Sequence, residues 1–312
     1  MTRTSATAMP GLSADQQAGA VPGTGTPEEI ARFVVGAAVW APSVHNTQPW
    51  RFQVRPQEIS LHADPGRRLS AGDPDGREML ISCGAALFTV RLALRYLGYV
   101  PETAILPDPD RPMLVARISW GQRQVLAADY ESELYRQVAL RRTHRGGFDS
   151  PALPALLLAE LGKNAARHGT ALHILADEGR RAALSAMADA AESLLRLDAS
   201  RAQELAWWPP SPGAASSAPL LRQAGVTAIL TTPRDLPVDW VNSGQALQRL
   251  LLVASASGVA ADLHTQPLEI PAIREIVRIQ LSGGAHPQMI LRLGVTSQAE
   301  ISVRRPVADV LL

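Results

Sequence analysis

The same order of elements, an amphipathic helix, a loop and a strand, is written twice in this chain. It occurs in "EEIARFVVGAAVWAPSVHNTQPWRFQV" from Glu28 and again in "PALLLAELGKNAARHGTALHIL" from Pro154. A helix with one apolar face must bury it against another element, so a repeated unit implies two halves sharing a core. The halves are not equivalent. Only the first carries the polar loop "APSVHNTQPW", and only the second carries the basic run "RRTHR", which has no counterpart ahead of the first helix. Two degenerate halves then supply one complete site between them.

Local signals place the elements. Thr26 is suited to cap a helix, Pro27 to occupy its first position and Glu29 to complete a capping box. Ile30, Phe33, Val34, Ala37 and Ala38 follow at helical spacing. That helix should stop near Ala41, because a residue before proline is pushed out of the α region. Trp50 to Val54 and "EISLHAD" read as a hairpin, followed after the turn "GDPDG" by the small-residue helix "LISCGAALFTVRLALRYLGY" and the strand "MLVARISWG". In the second half, "YESELYRQVALRRTHRGGF" is a helix ending in a basic loop. "LPALLLAELGKNAARHG" is a helix and "TALHILA" a strand. "MADAAESLLRLDASRAQELAWW" is one helix entering the Pro/Gly/Ser stretch "PPSPGAASSAP", a candidate cover. "VTAILTT", the long helix "WVNSGQALQRLLLVASASGV" and the strand "PQMILRLGV" follow, and "ISVRRPVADVLL" closes the sequence.

Composition excludes several functions. Thirty basic residues against 29 acidic ones leave a formal charge of +1, so no overall field holds nucleic acid or an anionic membrane. Cys83 is the only cysteine and cannot form an internal disulfide, and no run of about 18 apolar residues suggests a membrane span. A cytoplasmic protein is expected, with residues 1–25 a disordered arm. There is no G-x-G-x-x-G opening a helix, no P-loop, no metal-ligand spacing among the seven histidines and no G-x-S-x-G elbow. Cys83 reads as core, Arg77 as a surface ion pair and His45 as a satisfied loop histidine.

The segments "APSVHNTQPWRF", "LRRTHRGGF", "WVNSGQALQRLLLVASASGVAAD", "PQMILRLG" and "RRPVADVL", with "DPDGREMLISCGAALF", resemble the FMN-dependent nitroreductase superfamily. The nearest likeness is its Acg-like branch, in which two nitroreductase-like halves share one chain. The resemblance covers roughly residues 26–312. It implies an α+β fold with a central, mostly antiparallel sheet flanked by helices, the two halves imitating the family dimer. The first half then spans 26–122 and the second 123–312, with a lid at about 205–219.

By the same resemblance the phosphate and ribityl chain of FMN are held by Arg141, Arg142, Thr143 and Arg145, with His144 turned away. Arg304 and Arg305 correspond to the family's C-terminal basic pair on the same phosphate. A phosphate of charge about −1.5 to −2 suits the planar fork of arginine. Pro42, Ser43, Val44 and Asn46 would lie against the flavin ring, offering hydrogen bonds without a charge, while Gln48, Pro49 and Trp50 brace the loop. Glu269 matches the acidic residue near flavin N5, but Ile270 stands where the family has glycine.

The implied activity is an oxidoreductase in which NAD(P)H reduces FMN and the flavin reduces a nitroaromatic, quinone or other conjugated small-molecule acceptor. A flavin-sequestering protein with a closed lid and a biosynthetic flavin-dependent dehydrogenase are the alternatives. No nucleic acid or membrane partner is expected, and the protein should be a pseudo-dimeric monomer or a weak homodimer.

Overall fold

Helix α1, Pro27–Ala38, starts where its capping box requires: the Thr26 hydroxyl accepts from the Glu29 amide at 3.3 Å and the Glu29 carboxylate accepts from the Thr26 amide at 2.7 Å. The computed structural model describes residues 25–124, 129–150, 152–208, 224–298 and 302–312. The expected N-terminal arm, apart from Gly25, and the expected lid beyond Trp208 lie outside the described residues.

After α1 the first half runs β1 (Trp50–Arg55), β2 (Glu58–Ala63), α2 (Arg77–Tyr96), β3 (Pro101–Ile105) and β4 (Leu114–Trp120). Then come α3 (Asp129–Gln137), α4 (Ala155–Ala166), β5 (Ala171–Ile174), α5 (Glu178–Arg196), α6 (Ala199–Ala206), β6 (Val226–Thr232) and α7 (Pro237–Ala256). The chain finishes with β7 (Ala260–His264), α8 (Gln266–Glu269), α9 (Pro271–Leu281) and β8 (His286–Gly294). The strands form two antiparallel four-stranded sheets, ordered β1-β2-β4-β3 and β5-β6-β8-β7. In each, the pairing of the second strand with the fourth skips one residue on the fourth, Val115 in one sheet and Gln288 in the other. The halves therefore share topology as well as order, and the second is enlarged by α5–α6 before β6 and α8–α9 before β8.

The long helices α2 and α7 join the halves. Gly84 and Gly244 each stand eighth in a helix of 20 residues. A Cβ on Gly84 would lie 2.1 Å from the Val241 carbonyl oxygen, and one on Gly244 would lie 1.9 Å from that of Ile81. Ile81 and Val241 occupy matching positions, so the contact is reciprocal, as at a two-fold interface. Side chains extend it: Gln248 donates to the Thr89 hydroxyl at 3.0 Å and Arg91 to the Gln245 carbonyl at 2.6 Å. Cys83 is fully buried here, its thiol 3.3 Å from the Pro49 carbonyl. Helix α2 is long and apolar enough to span a membrane, yet 83% of its apolar window is buried inside the protein, as befits a core helix.

One edge of each sheet is covered, β1 in the first and β7 in the second. Residues near 311 run parallel to β1, with Phe52 donating to the Val310 carbonyl at 2.7 Å and Leu312 to that of Phe52 at 2.9 Å. Thr143 bridges Ala261 on β7, and the His144 amide donates to the Ala261 carbonyl at 2.8 Å. These crossings bring the C-terminal arginines to the first half and fix the basic run beside the second sheet.

Some local expectations need revision. The helix expected through Trp208 is two helices, because the Asp198 carboxylate accepts from the Arg201 amide at 3.0 Å and caps a new start. Sequence pattern assigned nothing to β3, β7 or α9. In α9 the signal is present, with Pro271 in the first turn and Ile273, Val277 and Leu281 buried at four-residue spacing.

Gly84→Ala should destabilise the protein by at least about 2 kcal/mol in urea denaturation, since the methyl group meets backbone that cannot move aside cheaply. Gly162→Ala in α4, with nothing within 4 Å of the new Cβ, should be neutral or stabilising. Equal stability of the Gly84 variant would contradict the close helix crossing.

Candidate functional site

The polar loop leaves α1 at Val39 and is held by short-range bonds. The Ser43 hydroxyl accepts from the Gln48 amide at 3.0 Å, and the Val44 amide donates to the Ser82 hydroxyl of α2 at 3.3 Å. Pro42 is buried and Pro49 precedes β1 directly, so both ends of the loop are pinned. Between them His45, Asn46 and Gln48 adopt left-handed φ values of 44°, 56° and 48°. Each such residue costs on the order of 1 kcal/mol or more, and the strain persists only where surroundings over-determine it. Here they do. The Asn46 amide donates to the Val303 carbonyl at 3.1 Å while its oxygen accepts from Arg304 at 3.1 Å, and the Gln48 oxygen accepts from the Arg305 amide at 2.8 Å.

Against this loop stand arginines from distant parts of the chain. Arg141 is buried and donates to the Trp40 carbonyl at 3.1 Å and to the Thr143 hydroxyl at 3.5 Å. Arg142 donates to the Arg141 carbonyl at 2.8 Å and lies over the Trp40 ring at 4.3 Å. Arg304 lies over the same ring at 5.7 Å. Burial holds the Arg141 guanidinium down at about 9, with Arg304, Arg142 and Arg145 lowering it further. Arg304 is held at about 10, by burial first and by Arg142 and Arg145 after it. Among the described residues, the charges acting on either are those of other arginines. The Nε atoms of Arg141 and Arg304 are buried without a hydrogen-bond partner among the described residues. Four cations are thus gathered, two of them, Arg141 and Arg304, with a spare buried donor among the described residues, an arrangement suited to an anion carrying several acceptor oxygens.

Two residues singled out by the resemblance are engaged elsewhere. Arg305 donates to the carbonyls of Gln48 at 3.0 Å and Trp50 at 3.4 Å and to that of Asp309, so it ties the loop exit to the C-terminal segment. Both Arg201 Nε and Nη2 bond one oxygen of Glu269, at 2.9 and 2.7 Å, and Thr265 donates to the other at 3.0 Å. Both Glu269 carboxylate oxygens are therefore engaged within the protein. Arg77 is no surface residue: it is 5% exposed, pairs with Glu78 at 2.9 Å and donates to the Gln288 carbonyl at 2.9 Å. His144 is buried with Nε2 2.8 Å from the Gly147 carbonyl.

No protein-family model matches the chain. Individual proteins do. It is 32% identical over 297 residues, 85% of each sequence, to the "Putative NAD(P)H nitroreductase Rv3131" of Mycobacterium tuberculosis. It is 28% identical over 328 residues, 93% of this chain and 97% of the relative, to the "Putative NAD(P)H nitroreductase acg" of the same species. The chain belongs to the nitroreductase superfamily, in its Acg-like branch. Among solved structures, a nitroreductase with bound FMN from Desulfitobacterium hafniense superposes with a TM-score of 0.41 and 14% identity over 56% of this chain and 94% of that one. A nitroreductase-like protein from Bacillus cereus gives 0.38 and 21% over 56% and 92%.

Several residues around this candidate site escape a reading of the sequence. Trp40 touches three arginines, yet it sits one residue ahead of the quoted motif. Arg201 and Glu204 lie on α6, and Glu204 accepts from the Ala71 and Gly72 amides at 3.1 Å, pinning α6 across the halves. Arg67 donates to the Thr47 carbonyl at 2.9 Å and lies 5.6 Å over the Trp208 ring. His45 is held below its ordinary range by burial, opposed first by Glu269 and reinforced by Arg201 and Arg145. Burial likewise raises the Glu78 carboxyl well above the carboxylate range, and Glu269 raises it further. No spacing signal marks these residues, because their partners are far away in sequence.

Arg201→Met should cost about 3–5 kcal/mol in urea denaturation, because it strands the buried Glu269 carboxylate. Adding Glu269→Leu should recover most of that loss. A double variant no more stable than the single one would show that the ion pair is not the cause.

Proposed function

We propose that the chain is an FMN-dependent oxidoreductase holding one flavin between its two halves, divided near residue 122. The observation that carries this reading is the arginine cluster of Arg141, Arg142, Arg145 and Arg304, with spare buried Nε donors facing no carboxylate. Its chemistry fits a terminal phosphomonoester, the feature separating FMN from riboflavin. Thr143 joins the arginines through its hydroxyl. Pro42, Ser43, Val44 and Asn46 meet the uncharged part of the cofactor, presenting main-chain groups on a loop already strained into shape. We assign Arg305 to bracing that loop and Glu269 to neutralising Arg201, rather than to touching the cofactor.

When bound, FMN supplies hydride and electron transfer from NAD(P)H to a nitroaromatic, quinone or other conjugated small molecule. The chain's own contribution is to bind the phosphate, orient the ring and exclude water. Sequestration of the flavin is the second reading. It is favoured by the anchoring of α6 across the halves, through Glu204 on the Ala71 and Gly72 amides and Arg201 on Glu269. Ile270 also puts a large side chain where the family has none.

The purified protein should be yellow and release about one FMN per chain on heating, FAD being absent. Arg142→Ala should weaken FMN binding by about 1.5–3 kcal/mol, roughly ten- to a hundredfold. Colourless protein that fails to quench FMN fluorescence on titration would refute the proposal, and unchanged affinity in the variant would move the phosphate elsewhere.

Anaerobic reduction separates the two readings. Under sequestration NADPH bleaches the bound flavin slowly or not at all, whereas dithionite bleaches it fully. Fast bleaching by NADPH followed by turnover of a nitroaromatic would leave the oxidoreductase alone.

A further inference from the structure

Trp40 meets three of the four clustered arginines, one through its carbonyl and two through its ring. Its carbonyl accepts from Arg141 at 3.1 Å, and its ring lies 4.3 Å from the Arg142 guanidinium carbon and 5.7 Å from that of Arg304. Arg142 and Arg304 come from opposite ends of the second half, and each is among the charges acting unfavourably on Arg141. Guanidinium groups this close repel unless something negative lies between or beside them. Among the described residues no carboxylate does so for Arg141 or Arg304. The negative groups at hand are the π face of the indole and the carbonyl end of α1, where Trp40 itself donates to the Ala37 carbonyl at 3.2 Å.

We propose that Trp40 is a positioning residue, whose ring gathers Arg142 and Arg304 around the place of a terminal phosphate and so sets the preference for a phosphorylated flavin over an unphosphorylated one. The inference rests on the FMN reading above. Its physical content is pre-organisation: two flexible cations are stacked in place before the ligand arrives, so less freedom is lost on binding. Packing alone does not require this geometry. The ring is only partly buried, and the bond to Arg141 uses the main chain, which survives any substitution of the ring.

The test compares FMN with riboflavin, which lacks only the phosphate. Dissociation constants of both are measured on the full chain by quenching of flavin fluorescence, for the wild type, Trp40→Leu and Trp40→Phe. Trp40→Leu should reduce the ratio of riboflavin to FMN dissociation constants about tenfold while leaving riboflavin affinity unchanged. Trp40→Phe keeps an aromatic face and should restore most of the ratio. A Leu variant that keeps the full ratio, or loses affinity equally for both ligands, would overturn the inference, the second result making Trp40 a brace of the loop. A wild-type chain that prefers neither ligand would instead overturn the phosphate reading of the arginines.

Discussion

Two helices touch backbone to backbone because neither has a side chain at the point of crossing. The carbonyls of Ile81 and Val241 fill the volume that a methyl group would take on Gly244 and Gly84. The rest of the molecule is arranged around that contact. It sets how closely the halves approach, and α2 also places Ser82 beneath the Val44 amide. The loop and the basic run belong to different halves, so their separation is only as definite as the crossing that joins the halves. Interiors packed this tightly transmit a small displacement instead of absorbing it.

Charge is distributed with the same economy of partners. On one side of the loop, the charges acting on the buried Arg141 and Arg304 are, among the described residues, those of other arginines. On the other, Arg77 with Glu78 and Arg201 with Glu269 form buried pairs at 2.9 and 2.7 Å. A buried pair contributes less to stability than its short distance implies, but losing either partner is costly. The pair Arg141 and Arg304, with no carboxylate acting on either among the described residues, is therefore the anomaly. It persists because an aromatic ring and the end of a helix offset part of the repulsion.

What the sequence disclosed and what it hid follow the range of the interactions involved. Thr26 with Glu29, the short β-branched and apolar run of β6 and the small residues of α2 are local patterns, and each is legible within a few residues. The strand β7 is not, because it carries Asp262 in the core. That residue is balanced by the buried Arg292 guanidinium at 3.3 Å, thirty residues further along the chain, a partner that no short window of sequence brings to it. Arg77 reads as a surface residue for the same reason, its carbonyl acceptor being Gln288. The basic run and the polar loop were visible as composition. That Arg305 would turn to carbonyls of the loop exit, and that Trp40 would stand among the arginines, depended on the path of the C-terminal segment across β1.

That path has a consequence for how the molecule is made. A strand with an unpaired edge is a site for adventitious pairing, and β1 keeps such an edge until residues near 310–312 are synthesised and laid against Phe52. The same segment delivers Arg304 to Asn46. During translation, at roughly 5–20 residues per second, the first half spends many seconds with its sheet open and its loop unsecured. Closure of that edge and completion of the cation cluster are then one event, and a nascent chain released early would lack both.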